Sequence, residues 1–387
     1  MIKIKKIIVI FLFSIFYFLF SGSVKAATLF LLPQSEDVFK GDSFIAELII
    51  DTEGENINAA NVKIIFPNNL ITVNDFEKGG SIFTLWPEEP DIKDGEISFS
   101  AGVPGGFNGE GLAGRIIFQA KEIGKSKVDF SEDTVVLLND GKGTPVNLKF
   151  LEGSYEVLEK SKDLPVISSS TNTDQNKWYK SSTLYLHWDL ISGAEYSYIL
   201  SKDPSTELDS IPDKPEGELL WMGDIKYENL KDGIYYFFLR QKLPEKDWSG
   251  KVTFRVMIDS TPPEEFKPEI AEIEGKKYLV FSTTDKISGV DHYEIETYYR
   301  GIALFGTVPT TQWKVVKSPY LLGDQNLSKI FVKAVDKAGN DQVSKIILPS
   351  KPFPYYILIL GLIILVIFWF IVRKIRKTSK KESSQNS

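Results

Sequence analysis

Cysteine is absent from this 387-residue chain, which excludes disulfides, thiolate metal sites and cysteine nucleophiles and leaves stability to noncovalent packing. Histidine is almost absent: His187 stands beside Trp188 and His292 follows Ser288-Gly289-Val290-Asp291. Neither has metal-ligand spacing or a triad partner in the sequence, so both read as structural. No phosphate loop, nucleophile elbow or dinucleotide fingerprint occurs, and no EF-hand loop. The adjacent acids Glu88-Glu89 and Glu264-Glu265 stand beside prolines, whereas glycoside hydrolysis needs two carboxylates facing each other from separate elements. The chain therefore reads as a binding protein and not an enzyme, with no catalytic or metal-ligating residue to name.

Long amphipathic helices are also missing. What repeats instead is alternation over five to eight residues rich in Val, Ile, Phe and Tyr, punctuated by Gly, Pro, Asn and Asp. In Phe44-Ile45-Ala46-Glu47-Leu48-Ile49-Ile50 and in Val62-Lys63-Ile64-Ile65-Phe66, every second side chain is placed to face a core while its neighbour faces outward. Many such strands with frequent turns predict an all-β protein of sandwich architecture.

The two ends differ from the middle. Lys3, Lys5 and Lys6, the apolar stretch Ile7 to Phe20, and Val24-Lys25-Ala26 read as a signal peptide over 1–26, cleaved after Ala26 or retained as an anchor. Phe353 to Val372 carries no charge and is expected to form a transmembrane helix. Arg373, Lys374, Arg376, Lys377, Lys380 and Lys381 follow, so 373–387 is expected to be a cytoplasmic basic tail and the localisation a single pass through the cell membrane, with an extracellular ectodomain.

With the four lysines of the first segment and the net +5 of the tail set aside, the formal charge of −7 becomes about −16 for the middle of the chain. That acidity argues against nucleic acid as a partner. It serves solubility or weak binding of a divalent cation, and leaves structural calcium open.

Proline and polar clusters divide the middle. Lys160 to Ser170 and Asp259-Ser260-Thr261-Pro262-Pro263 separate three regions, and Pro349-Ser350-Lys351-Pro352 precedes the last apolar run. The expected modules are 27–158, 164–260 and 264–348, strung on short linkers as a stalk.

The first region is the most specific. It carries TLFLLPQSEDVFKGDSF from Thr28, DTEGENINAANVKIIFPNNL from Asp51, Leu85-Trp86, GEISFSAGVPGGFNGEG from Gly95, IIFQAKEIGKSKVDF from Ile116 and LLNDGKGT from Leu137. Together these resemble a cohesin domain of the type II-like kind. The resemblance implies a nine-stranded jelly-roll-like sandwich that docks a dockerin-like protein, or, through a related sandwich, a polysaccharide. One departure is Phe66-Pro67-Asn68-Asn69-Leu70, which lacks the Asp of the family's F-D-P-x-x-L. The glycines around Pro104 and Phe107 suit either a compact loop or a contact surface. Trp86 and Phe107 are the candidate ligand-binding aromatics.

The second region, with Leu184 to Trp188 and Leu230 to Leu239, resembles a fibronectin type III or Ig-like sandwich. In it Trp188 is expected to plug the core and Tyr235 to serve as a tyrosine corner. Trp178 and Tyr179, among amides, are candidates for stacking on sugar rings or for core or edge packing. In the third, Ile330 to Asn340 resembles the closing hairpin of bacterial Ig-like repeats. The expected function is a membrane-anchored scaffold whose first module docks an extracellular protein; polysaccharide binding, or an adhesin or spacer without a specific partner, are the alternatives.

Overall fold

The alternating runs form strands, and among the described residues the strands form six sheets. The computed structural model describes residues 26–213, 222–300, 307–309, 312–323, 327–349 and 355–383. Apart from Ala26, the expected signal segment lies outside the described residues.

Residues 27–158 build two facing sheets. The five-stranded one runs, in spatial order, Leu148–Leu151, Ala27–Leu32, Ser43–Asp51, Glu110–Ala120 and Ile71–Glu77. The seven-stranded one runs Ser35–Phe39, Gly153–Leu158, Gly124–Phe130, Ile57–Ile65, Glu96–Phe107 and Leu85–Lys93, with Val135–Leu138 paired on Ile57–Ile65. Twelve strands stand where the resemblance implied nine, in part because the first and last are each cut in two and shared between the sheets. The first changes sheet at Pro33-Gln34, where proline lacks the N–H a continuous ladder needs. Its halves pair in parallel with the two halves of the last strand. The chain ends of this region thus cover each other's open edges. Tyr155, fully buried, ties the change of sheet down by donating its hydroxyl to the Pro33 carbonyl at 2.9 Å.

The alternation holds in Ile57–Ile65 and the residue after it: Val62, Ile64 and Phe66 are buried in the core while Ile65 is exposed. It fails in Ser43–Asp51. Phe44, Ala46, Leu48 and Ile50 face the core as expected, yet Ile45, on the opposite face, is also buried.

The second region has a three-stranded sheet (Ile167–Ser169, Leu184–Asp189, Met222–Tyr227) and a four-stranded one (Trp178–Tyr179, Val252–Ile258, Gly233–Lys242, Glu195–Ser201). Trp188 fills the space between them, packed on Tyr196, Tyr198 and Phe237. Tyr235 donates to the Lys231 carbonyl, four residues back, at 2.8 Å. Both side chains therefore take the places expected of them. The third region repeats the plan with strands Glu269–Ile273, Lys276–Val280 and Tyr320–Leu321 against Val290–Arg300, Leu327–Asp336, Asp341–Ile347 and two short partners.

A stalk of separate modules is not what forms. Ile45 and Ile117 on the outer face of the first region meet Trp178, Ile234, Tyr236, Phe238 and Met257 of the second, with Ile287 and Ala338 of the third packed against them. Sheets buried on both faces need apolar residues at consecutive positions, and the run Ile234 to Leu239 supplies them, every residue buried. The linker is fastened too: Leu164 enters the second core, and Gln241 donates its amide to the Asp163 carbonyl at 2.8 Å.

The far end corrects one expectation. A helix runs Tyr355–Ser383, starting two residues after the expected boundary and continuing without a break through the basic residues from Arg373. Among the described residues no helix is long and apolar enough to cross a membrane. The single-pass localisation, with its extracellular ectodomain and cytoplasmic tail, is therefore not upheld.

Phe238 belongs to the contact between regions and not to either sandwich core, and it is fully buried. Phe238→Ala is expected to cost about 3–5 kcal/mol, whereas Ile65→Ala, at an exposed site, should stay within about 0.5 kcal/mol. Urea denaturation followed by tryptophan fluorescence checks this; equal effects at the two sites would show that the contact between regions contributes nothing.

Candidate functional site: a cleft beside Trp86

Trp86 lies on Leu85–Lys93, which pairs on one side only, with Glu96–Phe107, and does so through two breaks in register. Pro87 and Pro90 explain the position: a strand that lacks two ladder donors belongs at a sheet edge. The indole is half-buried, its ring 6.1 Å from Phe76, 6.2 Å from Phe83 and 5.3 Å from Phe99, so one side anchors in the core. Lys78 holds its ammonium 5.5 Å from the ring centroid and also pairs with Glu89 at 2.6 Å. Such a cation over an exposed ring contributes about 0.5–1 kcal/mol.

Phe107 lies at the end of Glu96–Phe107 and packs on the same core from its rim. Its seat depends on Gly111, where a Cβ would lie 2.4 Å from Ile82 Cγ2 and 2.7 Å from Phe107 Cζ. The glycine-rich loop itself is a compact structure: Asn139 donates its amide to the Gly105 carbonyl at 3.0 Å, and Gly109 donates its N–H to Thr52 Oγ1 at 2.8 Å.

Trp86 and Phe107 line the same open cleft, and its far wall belongs to the third region: Thr283, Thr284, Asp285, Lys286 and Lys337. The floor is apolar and the rim carries both signs of charge. The two walls are joined by Lys337, whose ammonium lies 3.0 Å from Asp75 and 3.5 Å from Glu77. Burial opposes that charge, but Glu77 and Asp75 outweigh it and hold the Lys337 pKa above the ordinary lysine value. At Gly79 the walls nearly touch, a Cβ there coming 2.3 Å from the Ile287 carbonyl oxygen. The sequence singled out the aromatic wall. It carried no signal for the opposite one, some 200 residues away.

Trp178 is not part of this cleft. It is 5% exposed, lies among the residues joining the first and second regions, and donates its ring N–H to Glu77 Oε1 at 2.9 Å. Tyr179, half-buried beside it, accepts the Asp174 N–H at 2.8 Å. Trp178 is therefore presented to Glu77 and not to a free surface. His187 makes a 3.3 Å contact with Ser170, and His292 a 2.6 Å contact with Asp291. Of the adjacent acids, Glu88 accepts from Ser100, Glu89 pairs with Lys78 and Glu264 with Lys286.

One acid at the same boundary is strongly perturbed. Glu36 shares a small recess with Arg255, Lys251 and Tyr236. Burial pushes its pKa up to about 7, although Lys251 and Arg255 pull the other way.

No family model matches this sequence, and no curated protein matches it. Solved structures do. A non-cellulosomal cohesin from the hyperthermophilic archaeon Archaeoglobus fulgidus is 15% identical, covering 35% of this chain and 92% of its own, at a TM-score of 0.30. The third ScaB cohesin of R. flavefaciens, in complex with a group 1 dockerin, is 12% identical over 36% of this chain and 99% of its own, at 0.30. The chicken CNTN1 FN1-FN3 domains are 12% identical over 84% of this chain and 99% of their own, at 0.22. These values are too low to make the chain a member of either family.

For Glu36 the sign is fixed by the direction of the shift. The folded protein holds this proton up to about pH 7, while an unfolded carboxyl releases it near 4.5. Folding stability should therefore decline from pH 4.5 to 7. Glu36→Gln mimics the protonated form and is expected to match the wild type near pH 4.5 and to exceed it at pH 8. Parallel stability curves for the two proteins, measured by urea midpoint against pH, would exclude a proton on Glu36.

Proposed function

We propose that this chain is a non-enzymatic binding protein in which a cohesin-like module of the type II-like kind, residues 27–158, docks a dockerin-like protein. Fibronectin III- or Ig-like modules at 164–260 and 264–348 support it, and the third closes one wall of the docking cleft. The observation that carries this reading is the surroundings of Trp86. A sugar-binding face needs a flat row of exposed aromatic rings, whereas Trp86 is half-sunk, packed edge-on against Phe76 and Phe83 and tilted against Phe99, and bordered by Lys78 and Glu89. An aromatic anchor in an apolar hollow, ringed by charges of both signs, is the arrangement of a protein-docking hot spot. Phe107 adds apolar area to the same hollow. Trp178 serves the contact between modules, while Tyr179 accepts the Asp174 N–H within the second one.

Retention by the immobilised full chain of a purified dockerin-bearing protein is the expected result, with no retention of polysaccharides on an array. Trp86→Ala should weaken that binding by about thirtyfold, the loss of a hot-spot side chain at about 2 kcal/mol, with the melting temperature reported alongside to separate docking from folding. Polysaccharide retention without a protein partner, or silence in both assays, would overturn the reading.

A further inference from the structure

Behind the cleft wall three aspartates from distant parts of the sequence converge. Asp259 follows Val252–Ile258 on the connection between the second and third regions. Asp285 lies in the turn before Val290–Arg300, and Asp336 ends Leu327–Asp336. Each offers a carboxylate oxygen within 4.8 Å of the others. They are 0%, 8% and 2% exposed.

Nothing cationic accompanies them. Among the described residues the hydrogen bonds they accept come from neutral groups, among them Thr261 and Ser288 N–H on Asp259, Ile287 and Gly289 N–H on Asp285, and the N–H and amide of Asn340 on Asp336. Among the described residues none of the three has an ion-pair partner, and the nearby lysines are engaged elsewhere, Lys286 with Glu264 and Lys337 with Asp75 and Glu77. Burial and their mutual repulsion raise the pKa values of Asp285 and Asp336.

A further oxygen points to what is held there. Ser288 is completely buried, and its hydroxyl has no hydrogen-bond partner. Its own N–H is held 3.0 Å from Asp259 Oδ2, and its two neighbours in sequence both donate to Asp285 Oδ1, at 3.0 and 2.8 Å. The residue is pinned between two of the carboxylates with its polar group unspent. Buried carboxylates are either paired or coordinate a metal, and a dry hydroxyl without a partner costs about 1–3 kcal/mol.

We propose that Asp259, Asp285, Asp336 and Ser288 form a binding site for a hard divalent cation, calcium foremost, which clamps the third region to the second. An all-oxygen donor set of carboxylates and a hydroxyl disfavours zinc or copper, and irregularly placed oxygens suit calcium better than the strict octahedron of magnesium. The clamp has a structural continuation: Asn340, held on Asp336, donates its amide to the Asp259 carbonyl at 2.8 Å, so the cation ligands and the connection between regions form one unit.

The test uses the full chain stripped with a chelator. Calorimetric titration with calcium chloride, and sensitised terbium luminescence in parallel, should show one ion bound per chain and a rise in melting temperature. Asp285→Asn should weaken calcium binding by about tenfold or more, the cost of losing one charged ligand. In chelator the same variant should melt no lower than the wild type, since it relieves repulsion. No heat, no luminescence and no change in melting temperature with about 5 mM calcium, magnesium or manganese, above the affinity of the weakest extracellular calcium modules, would overturn the site. So would binding that survives both Asp285→Asn and Asp336→Asn. Should the variants fail to fold, the ion dependence of the wild-type melting temperature decides alone.

Discussion

Burial of the outer face of the first sandwich against the second is the contact on which the rest of the molecule depends. Ile45 and Ile117 project from the side of their sheet that an isolated sandwich would show to water, and Tyr236, Phe238 and Met257 do the same from the other partner. Fully burying side chains of this size stabilises by about 1.5–3 kcal/mol each, so separating the regions would return several such groups to water. Trp178 adds direction to this apolar contact, because its ring N–H meets the buried Glu77. A nonpolar surface sets how strongly two bodies hold; a hydrogen bond between buried groups sets the angle at which they do.

That angle creates the cleft. Glu77, fixed from one side by Trp178, is met from another by Lys337 of the third region. The third region is thereby brought up to Gly79, where there is room for its backbone only because no Cβ stands in the way. Trp86 and Phe107 would otherwise be rim aromatics on one sandwich. With the third region in place they become the floor of a hollow whose opposite wall is polar. The shape of that hollow and the arrangement of the three regions are then coupled.

The polar groups at these boundaries are arranged with different consequences. Exposed pairs such as Lys40 with Glu122 contribute little, because water screens them. Arg255 is almost fully buried, and burial draws its pKa down, yet Gln175 and Asn176 satisfy its donors. Glu36 has charge nearby but, among the described residues, no hydrogen bond of that kind, and retains its proton to about pH 7. Among the described residues Asp259, Asp285 and Asp336 have no countercharge and little solvent, which is why a cation is the occupant that their chemistry calls for.

Much of the fold was legible because alternation is a local property. Val62, Ile64 and Phe66 announce a buried face by their spacing, Trp188 and Tyr235 announce a sandwich by their placement, and all take the positions expected. The uninterrupted run Ile234 to Leu239 is buried at every residue, which the alternating pattern did not anticipate. Where local pattern stopped sufficing, it misled: the apolar run from Phe353 suggested a membrane span, yet no described helix is long and apolar enough for one. The sequence by itself determined the strands and the core faces, since hydrophobic period acts over a few residues. Only tertiary structure decided that Trp178 meets Glu77, that Lys337 bridges to Asp75, and that three aspartates spread from 259 to 336 share one dry site. Those pairings join residues tens to hundreds of positions apart, and no local signal encodes which exposed face will be covered by which neighbour.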